Sequence, residues 1–230
     1  PEVLEELFQS FDYDNSGANS PDLVQGLIPV RYDDRNSTWV KADSTNTNND
    51  WYDYSNKQWA NAVLVSDTNR ATYQSASVGT PIPESDVLAY YVWIPRYKYK
   101  VFNINKVINT DSYNAQDSGI DIVFEKGDAT TGTIDCTTTP YSFAAPTADT
   151  TNETCSGSNG DYYTHPAFTF GSTEVRGFWV GKFEISSETP DVQTSGNYYG
   201  GGNVTNLTVR VKPNVRSWRY NTVTNFYKVI

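Results

Sequence analysis

Alternation of apolar and polar positions dominates the chain and predicts strands far more often than helices. In "VWIPRYKYKVF", Trp93, Pro95, Tyr97, Tyr99 and Val101 fall on one face, and Ile94, Arg96, Lys98 and Lys100 on the other. Farther along the chain "RGFWVGKFEIS" repeats the wording, with Trp179, Gly181, Phe183 and Ile185 opposite Val180, Lys182 and Glu184. Each copy offers one aromatic face and one basic or mixed face, which is what a half-buried strand needs. Pro95 donates no backbone hydrogen bond, so the first copy is expected at a sheet edge or at a bulge. The segments "GLIPVRYD", "STWVKAD", "WYDYSNKQWANAVLVS", "GIDIVFEKG" (Ile120, Ile122 and Phe124 on one side) and "LTVRVKP" also read as strands.

Helical period is confined to short stretches. In "PEVLEELFQSF", Val3, Leu4, Leu7, Phe8 and Phe11 share a helical face. "TPIPESDVL" is a loop with a cap at Ser85 before a short helical turn. At the end, Val223, Phe226, Tyr227 and Ile230 stand at helical spacing and expose a bare apolar face, which suggests a fragment or a contact with another molecule. The expected fold is therefore mostly β with a minor α component: a β-rich body with a short N-terminal helix. The expected divisions are residues 1–24 (helix and linker), 25–130 (β-rich body), 131–160 (a Thr/Ser-rich loop) and 161–230 (a strand–helix segment packed on the same body).

Composition supports this picture. Of 230 residues, 37% are hydrophobic and 14% aromatic, enough to build a core, and Tyr (17), Phe (10) and Trp (6) supply the large side chains. A net charge of −10 repels a phosphate backbone and anionic lipid, so nucleic acid is not an expected partner, and no stretch is apolar enough to insert in a membrane. The chain begins at Pro1 and has no methionine, which suggests processing from a longer precursor. One histidine and two cysteines are too few for a structural zinc site. A disulfide between Cys136 and Cys155 is the better expectation; it would add about 3 kcal/mol by closing its loop and points to the cell surface or beyond.

Several stretches carry candidate chemistry. "DYDNSGANSPD" has Asp12, Asp14 and Ser16 at calcium-loop spacing with Gly17 at the turn, but Leu23 stands where a bidentate acid belongs and Asp22 falls one short. Calcium is the only cofactor the sequence suggests; the competing reading is an ordinary Asx-rich linker. His165 has no nucleophile motif around it and is expected to pack against Pro166 and nearby Tyr. Carboxylates such as Glu184 and Glu188 could form a glycosidase pair, though acidic neighbours are common at this composition. Asn36, Asn152, Asn203 and Asn206 begin N-x-[ST] sequons, and Thr137, Thr138 and Thr139 beside Pro140 resemble a mucin-like patch. In "NDWYDYSNKQW", Trp51, Tyr54 and Trp59 with their amides suit sugar stacking, or else simply fill a β core.

"FWVGKFEIS" followed by "NVRSWRYNTVTNFYKVI" resembles the opening of the formylglycine-generating-enzyme-like domains, a branch of the C-type-lectin-like folds. Phe178 to Ile185 match the family's opening strand, and Val223, Thr224, Asn225 and Phe226 resemble its helix start. The run from "GLIPVRYD" through "VWIPRYKY" and "THPAFTFG" also looks like pilin-like surface proteins of Gram-positive bacteria that carry such a module. The family's downstream half, with its catalytic cysteines, has no counterpart here, and Cys136 and Cys155 precede the matching strand. The resemblance thus implies a non-enzymatic structural or adhesive module of a pilus- or filament-like surface appendage, with copies of itself, other surface subunits or glycans as partners. The alternatives are a monomeric carbohydrate-binding module, or a fragment of a formylglycine-generating-type enzyme or hydrolase.

Overall fold

The computed structural model describes residues 15–100, 121–132, 162–187, 208–215, 217, 223–224 and 227. The N-terminal helix, Asp12, Asp14, Cys136, Cys155, Asn152, Asn203, Asn206 and nearly all of the 131–160 loop lie outside these residues. Within them the protein is mostly β, with mixed sheet and one α-helix. The chain divides into two compact units, each made of two stretches: residues 1–20 with 95–178, and residues 21–94 with 179–230. The division cuts across the consecutive blocks 25–130 and 161–230, because the chain leaves the second unit at Ile94 and re-enters it at Trp179.

The second unit is built on one seven-stranded sheet. Its strands are β1 (Leu27–Asp33), β2 (Thr38–Lys41), β3 (Asn61–Val65), β4 (Val87–Pro95), β10 (Gly177–Gly181), β11 (Ile185–Ser187) and β12 (Val209–Val211). They run in the order β11-β12-β4-β3-β1-β2, with β10 also pairing with β4. The pairings along that path are antiparallel except β12 with β4, where Val211 lies opposite Ala89 in parallel register. Ile28, Val63 and Tyr90 are cross-strand partners and line one face, so period-2 patterning in three separate segments converges on one core. Val30, Val65 and Val87 extend it. A register shift at Leu64/Val65 turns Val87 to the same side.

The α-helix α1 (Asp67–Ser75) covers this core with a single buried side chain, Tyr73. Its hydroxyl lies 2.5 Å from the Asp86 carboxylate, and burial with that acceptor pushes the phenol up to about 12. No apolar stripe announces α1 in the sequence, because one buried residue in nine leaves no helical period to read. The short turn before β4, at Glu84–Asp86, is present, but the residue ahead of it is Pro83 rather than a capping Ser85.

Two strand readings need correction. "WYDYSNKQWANAVLVS" is extended only from Asn61; Asp53 accepts from the Asn56 amide and Lys57 adopts a left-handed φ of 63°, which folds its first half into a turn. The second copy of the repeated phrase is broken between Gly181 and Ile185 into β10 and β11. There the Lys182 amide donates to the Tyr90 carbonyl at 2.9 Å, and the following residues pair with β12 instead.

The repetition itself has a direct explanation. The two copies lie side by side: β10 pairs with β4, and the Trp93 and Trp179 rings meet edge-on at 5.5 Å. β4 is an interior strand of its sheet, so Pro95 is accommodated by ending the strand rather than by lying at an edge.

The first unit contains β5 (Tyr97–Lys100), β6 (Asp121–Phe124) and β7 (Tyr163–Thr164) in the order β6-β5-β7, and a small hairpin of β8 (Thr169–Phe170) and β9 (Thr173–Glu174). Phe168 is its buried aromatic centre and touches Tyr97, His165 and Phe178. In β6 both Ile122 and Val123 are exposed, so its alternation does not sort inside from outside. Helical positions Val223 and Tyr227 in the C-terminal segment are more than four-fifths exposed.

Trp93 is 2% exposed. Truncation to Ala is expected to cost about 3–5 kcal/mol, read as a lowered urea midpoint at unchanged slope.

Candidate functional site

The aromatic cluster read from "NDWYDYSNKQW" forms on one side of the second unit's sheet. It is seated by the preceding Asn-rich loop, which is heavily cross-braced. The Asp43 carboxylate accepts from the Thr45 amide (2.9 Å), the Thr45 hydroxyl (2.7 Å) and the Thr47 amide (3.2 Å), and these bonds lower its pKa to about 2. Asp50 accepts from the Asp43 amide at 2.9 Å and from Arg31 at 2.8 Å. Asn46 accepts from the amides of Trp51 (2.9 Å) and Tyr52 (3.0 Å) and donates to the Tyr52 carbonyl. Asn46, Asn48 and Asn49 take left-handed φ of 53°, 57° and 57°, a region that asparagine tolerates better than most residues. The polar composition that reads as a loose connection is therefore a built turn.

That turn buries Trp51 and Tyr54 and leaves Trp59 exposed, at 2%, 5% and 41%. The Trp51 indole donates to the Asn61 carbonyl at 2.7 Å, and the Tyr54 hydroxyl donates to the Trp93 carbonyl at 3.3 Å. Rings run in contact from Trp59 to Tyr54 (5.3 Å), Tyr52 (5.5 Å), Trp51 (5.6 Å), Trp179 (6.3 Å) and Trp93 (5.5 Å). Of the three residues selected for sugar stacking, two are core residues with their polar tips engaged, and Trp59 alone presents a ring to solvent.

The remaining candidates are placed as follows. Ser16 accepts from the Ala18 amide at 3.2 Å, and Gly17 turns with φ of 83°. The Asp22 carbonyl accepts from the Trp179 indole at 2.8 Å. With Asp12 and Asp14 outside the described residues, the calcium loop has no geometry to judge. Among the described residues no group of three acidic, His or Cys side chains is gathered to hold a metal. His165 accepts from the Ala167 amide through Nδ1 at 3.1 Å and packs on Tyr97 and Tyr99, at 5.2 and 5.6 Å. Glu184 is exposed. Asn36 sits on the exposed β1–β2 turn, where its amide donates to Asp33 at 2.8 Å.

One cluster of ionisable groups escaped the sequence reading. Arg96, placed by alternation on the basic face of the first copy, is fully buried in the first unit. Its Nε donates to Glu125 at 2.6 Å. Its Nη1 lies 2.7 Å from Glu174 and 3.1 Å from the Val175 carbonyl, and its Nη2 donates to Thr130 at 2.9 Å. The second Glu125 oxygen accepts from the Thr131 amide and hydroxyl (2.6 and 2.7 Å), the Gly132 amide (3.1 Å) and the Thr164 hydroxyl (2.9 Å). Buried Asn19 joins in, donating to the carbonyls of Gly127 and Arg176 at 2.8 Å and accepting from the Gly127 amide at 2.7 Å. Arginine suits this position because its planar fork reaches several acceptors at once. Every guanidinium nitrogen of Arg96 and both Glu125 oxygens are engaged, so the cluster ties these loops together.

Burial raises the Glu125 pKa, but its hydrogen bonds with Thr131, Thr164 and Arg96 outweigh that and leave it below the usual 4.5. A lowered folded pKa stabilises the protein above the unfolded value and withdraws that stability as pH falls through the folded one. Arg96→Ala strands a buried carboxylate and is expected to cost about 3–5 kcal/mol near neutral pH. Its deficit against wild type should shrink below about pH 4.5 as Glu125 is protonated. Urea titrations from pH 7 to pH 3 check this; parallel stability curves would refute the pairing.

No family model, no curated protein and no solved structure matches the chain.

Proposed function

We propose that this chain is a non-enzymatic structural or adhesive module of a bacterial surface appendage, working outside the cell and assembled with copies of itself or with other surface subunits. The observation that carries the reading is the hydrogen-bonded Arg96–Glu125–Glu174 cluster. The buried charges of the first unit are committed to hydrogen bonds that fix loops, as a load-resisting scaffold requires and a proton-transferring site does not. The braced Asx turns, the net charge of −10 and the resemblance of Phe178–Ile185 to a lectin-like opening strand agree with it. The exposed Val223 and Tyr227 side chains supply apolar surface for a neighbouring subunit.

A second reading, a carbohydrate-binding module, is favoured by the exposed Trp59 ring braced edge-on by Tyr54. Sugar rings stack on such faces, and the amides of Asn49 and Gln58 lie in the same turn.

Negative-stain electron microscopy of the native, unreduced protein separates the two. Regular filaments or ordered oligomers are expected. Monodisperse particles that bind a glycan array, with binding lost in Trp59→Ala and stability retained, would replace the structural reading by the sugar-binding one.

A further inference from the structure

In the second unit, β1 and β2 are joined by a tight connection in which Asp34, Arg35, Asn36 and Ser37 are all exposed. The strand pairs that lead into it are Tyr32 with Trp39 and Asp33 with Thr38. Asp33 braces the turn from its base. One carboxylate oxygen accepts from the Arg35 amide at 3.1 Å, and the other accepts from the Asn36 Nδ2 at 2.8 Å. Ser37 completes the reversal with a left-handed φ of 50°.

Asn36, Ser37 and Thr38 spell N-x-T, the acceptor pattern for a sugar joined to an amide nitrogen. The structure adds what the pattern alone does not give. A sugar is bulky and hydrophilic, and it needs the open surface that residues 34–37 provide. An amide nitrogen is a poor nucleophile, because its lone pair is delocalised into the carbonyl. Here the nitrogen donates to a carboxylate, which returns electron density to it. That same hydrogen bond is the largest cause holding the Asp33 carboxyl below its usual 3.8, so the acceptor is ionised at neutral pH. An attached sugar also finds a platform: the Tyr32 ring, 45% exposed, stands edge-on to Trp39 at 5.3 Å beside the turn.

We propose that Asn36 is a glycosylation site, and that its first sugar lies against the Tyr32–Trp39 pair. The co-reactant is an activated sugar phosphate, delivered by a transferase of the producing cell. The Asn36 Nδ2 attacks the anomeric carbon, the N–C bond forms and the C–O bond to phosphate breaks. The phosphate leaves with the electron pair, and the nitrogen sheds one proton to the medium. Nothing is oxidised or reduced. The inference rests on the reading that the chain works outside the cell, since exported chains are the ones that carry such sugars.

The test is a mass-spectrometric peptide map of protein purified from the cells that make it. The proposal expects the peptide containing Asn36 to be heavier than its sequence by a whole sugar or oligosaccharide. Asn36→Gln and Thr38→Val, made in the same cells, should both lose the added mass. Thr38→Ser should keep it, because the pattern needs the hydroxyl and not the methyl group. An unmodified Asn36 peptide in the natural protein would overturn the proposal. So would conversion of Asn36 to Asp without a sugar, or added mass that survives in Thr38→Val. Filaments built from unmodified chains would overturn it and leave the surface reading standing. Sugar-bearing chains that form no ordered assembly would support it and count against that reading.

Discussion

The second unit depends on the pairing of two strands that share one wording. β4 lies inside the sheet with β3 on one side and β12 and β10 also bonded to it, so the position of every other strand is set through it. Trp93 and Trp179 meet where the copies run together, and the ring chain through Trp51, Tyr52 and Tyr54 grows from that contact. Two segments written alike can form one cross-strand aromatic contact because each brings a large ring to the shared face of a pleated pair. The repeat is architecture.

Where the wording ends, its meaning changes. Alternation sets Arg96 among exposed bases, beside Lys98 and Lys100, yet its guanidinium lies in the interior of the first unit. The strand stops at Pro95 and resumes at Tyr97, and the intervening residue is released from the sheet's period. Its acceptors, Glu125, Glu174, Thr130 and the Val175 carbonyl, come from parts of the chain that share no local pattern with it. A buried ion pair is costly unless its remaining donors and acceptors find partners, and here every guanidinium nitrogen and both Glu125 oxygens have one.

What the sequence made legible follows from the range of each signal. β1, β2, β3 and β12 were readable because their period is local, and Ile28, Val63 and Tyr90 converge on one face as that period requires. α1 was hidden because only Tyr73 faces the core, and the first half of "WYDYSNKQWANAVLVS" misled because Asp53 and Asn56 close a turn that aromatic content alone does not reveal. The site residues divided similarly: aromatic density found the Trp51–Tyr54–Trp59 cluster, but only the Asn46 and Asp43 braces decide which rings are covered.

Native-state hydrogen exchange of the Lys182 amide tests the central claim most directly. That hydrogen is donated to the Tyr90 carbonyl only if the second copy of the phrase lies against the first. The pairing predicts that it exchanges with the same opening free energy as the Trp93 amide in β4, near that of global unfolding. Exchange at the rate of an exposed loop, with Trp93 still protected, would mean that the copies do not pair.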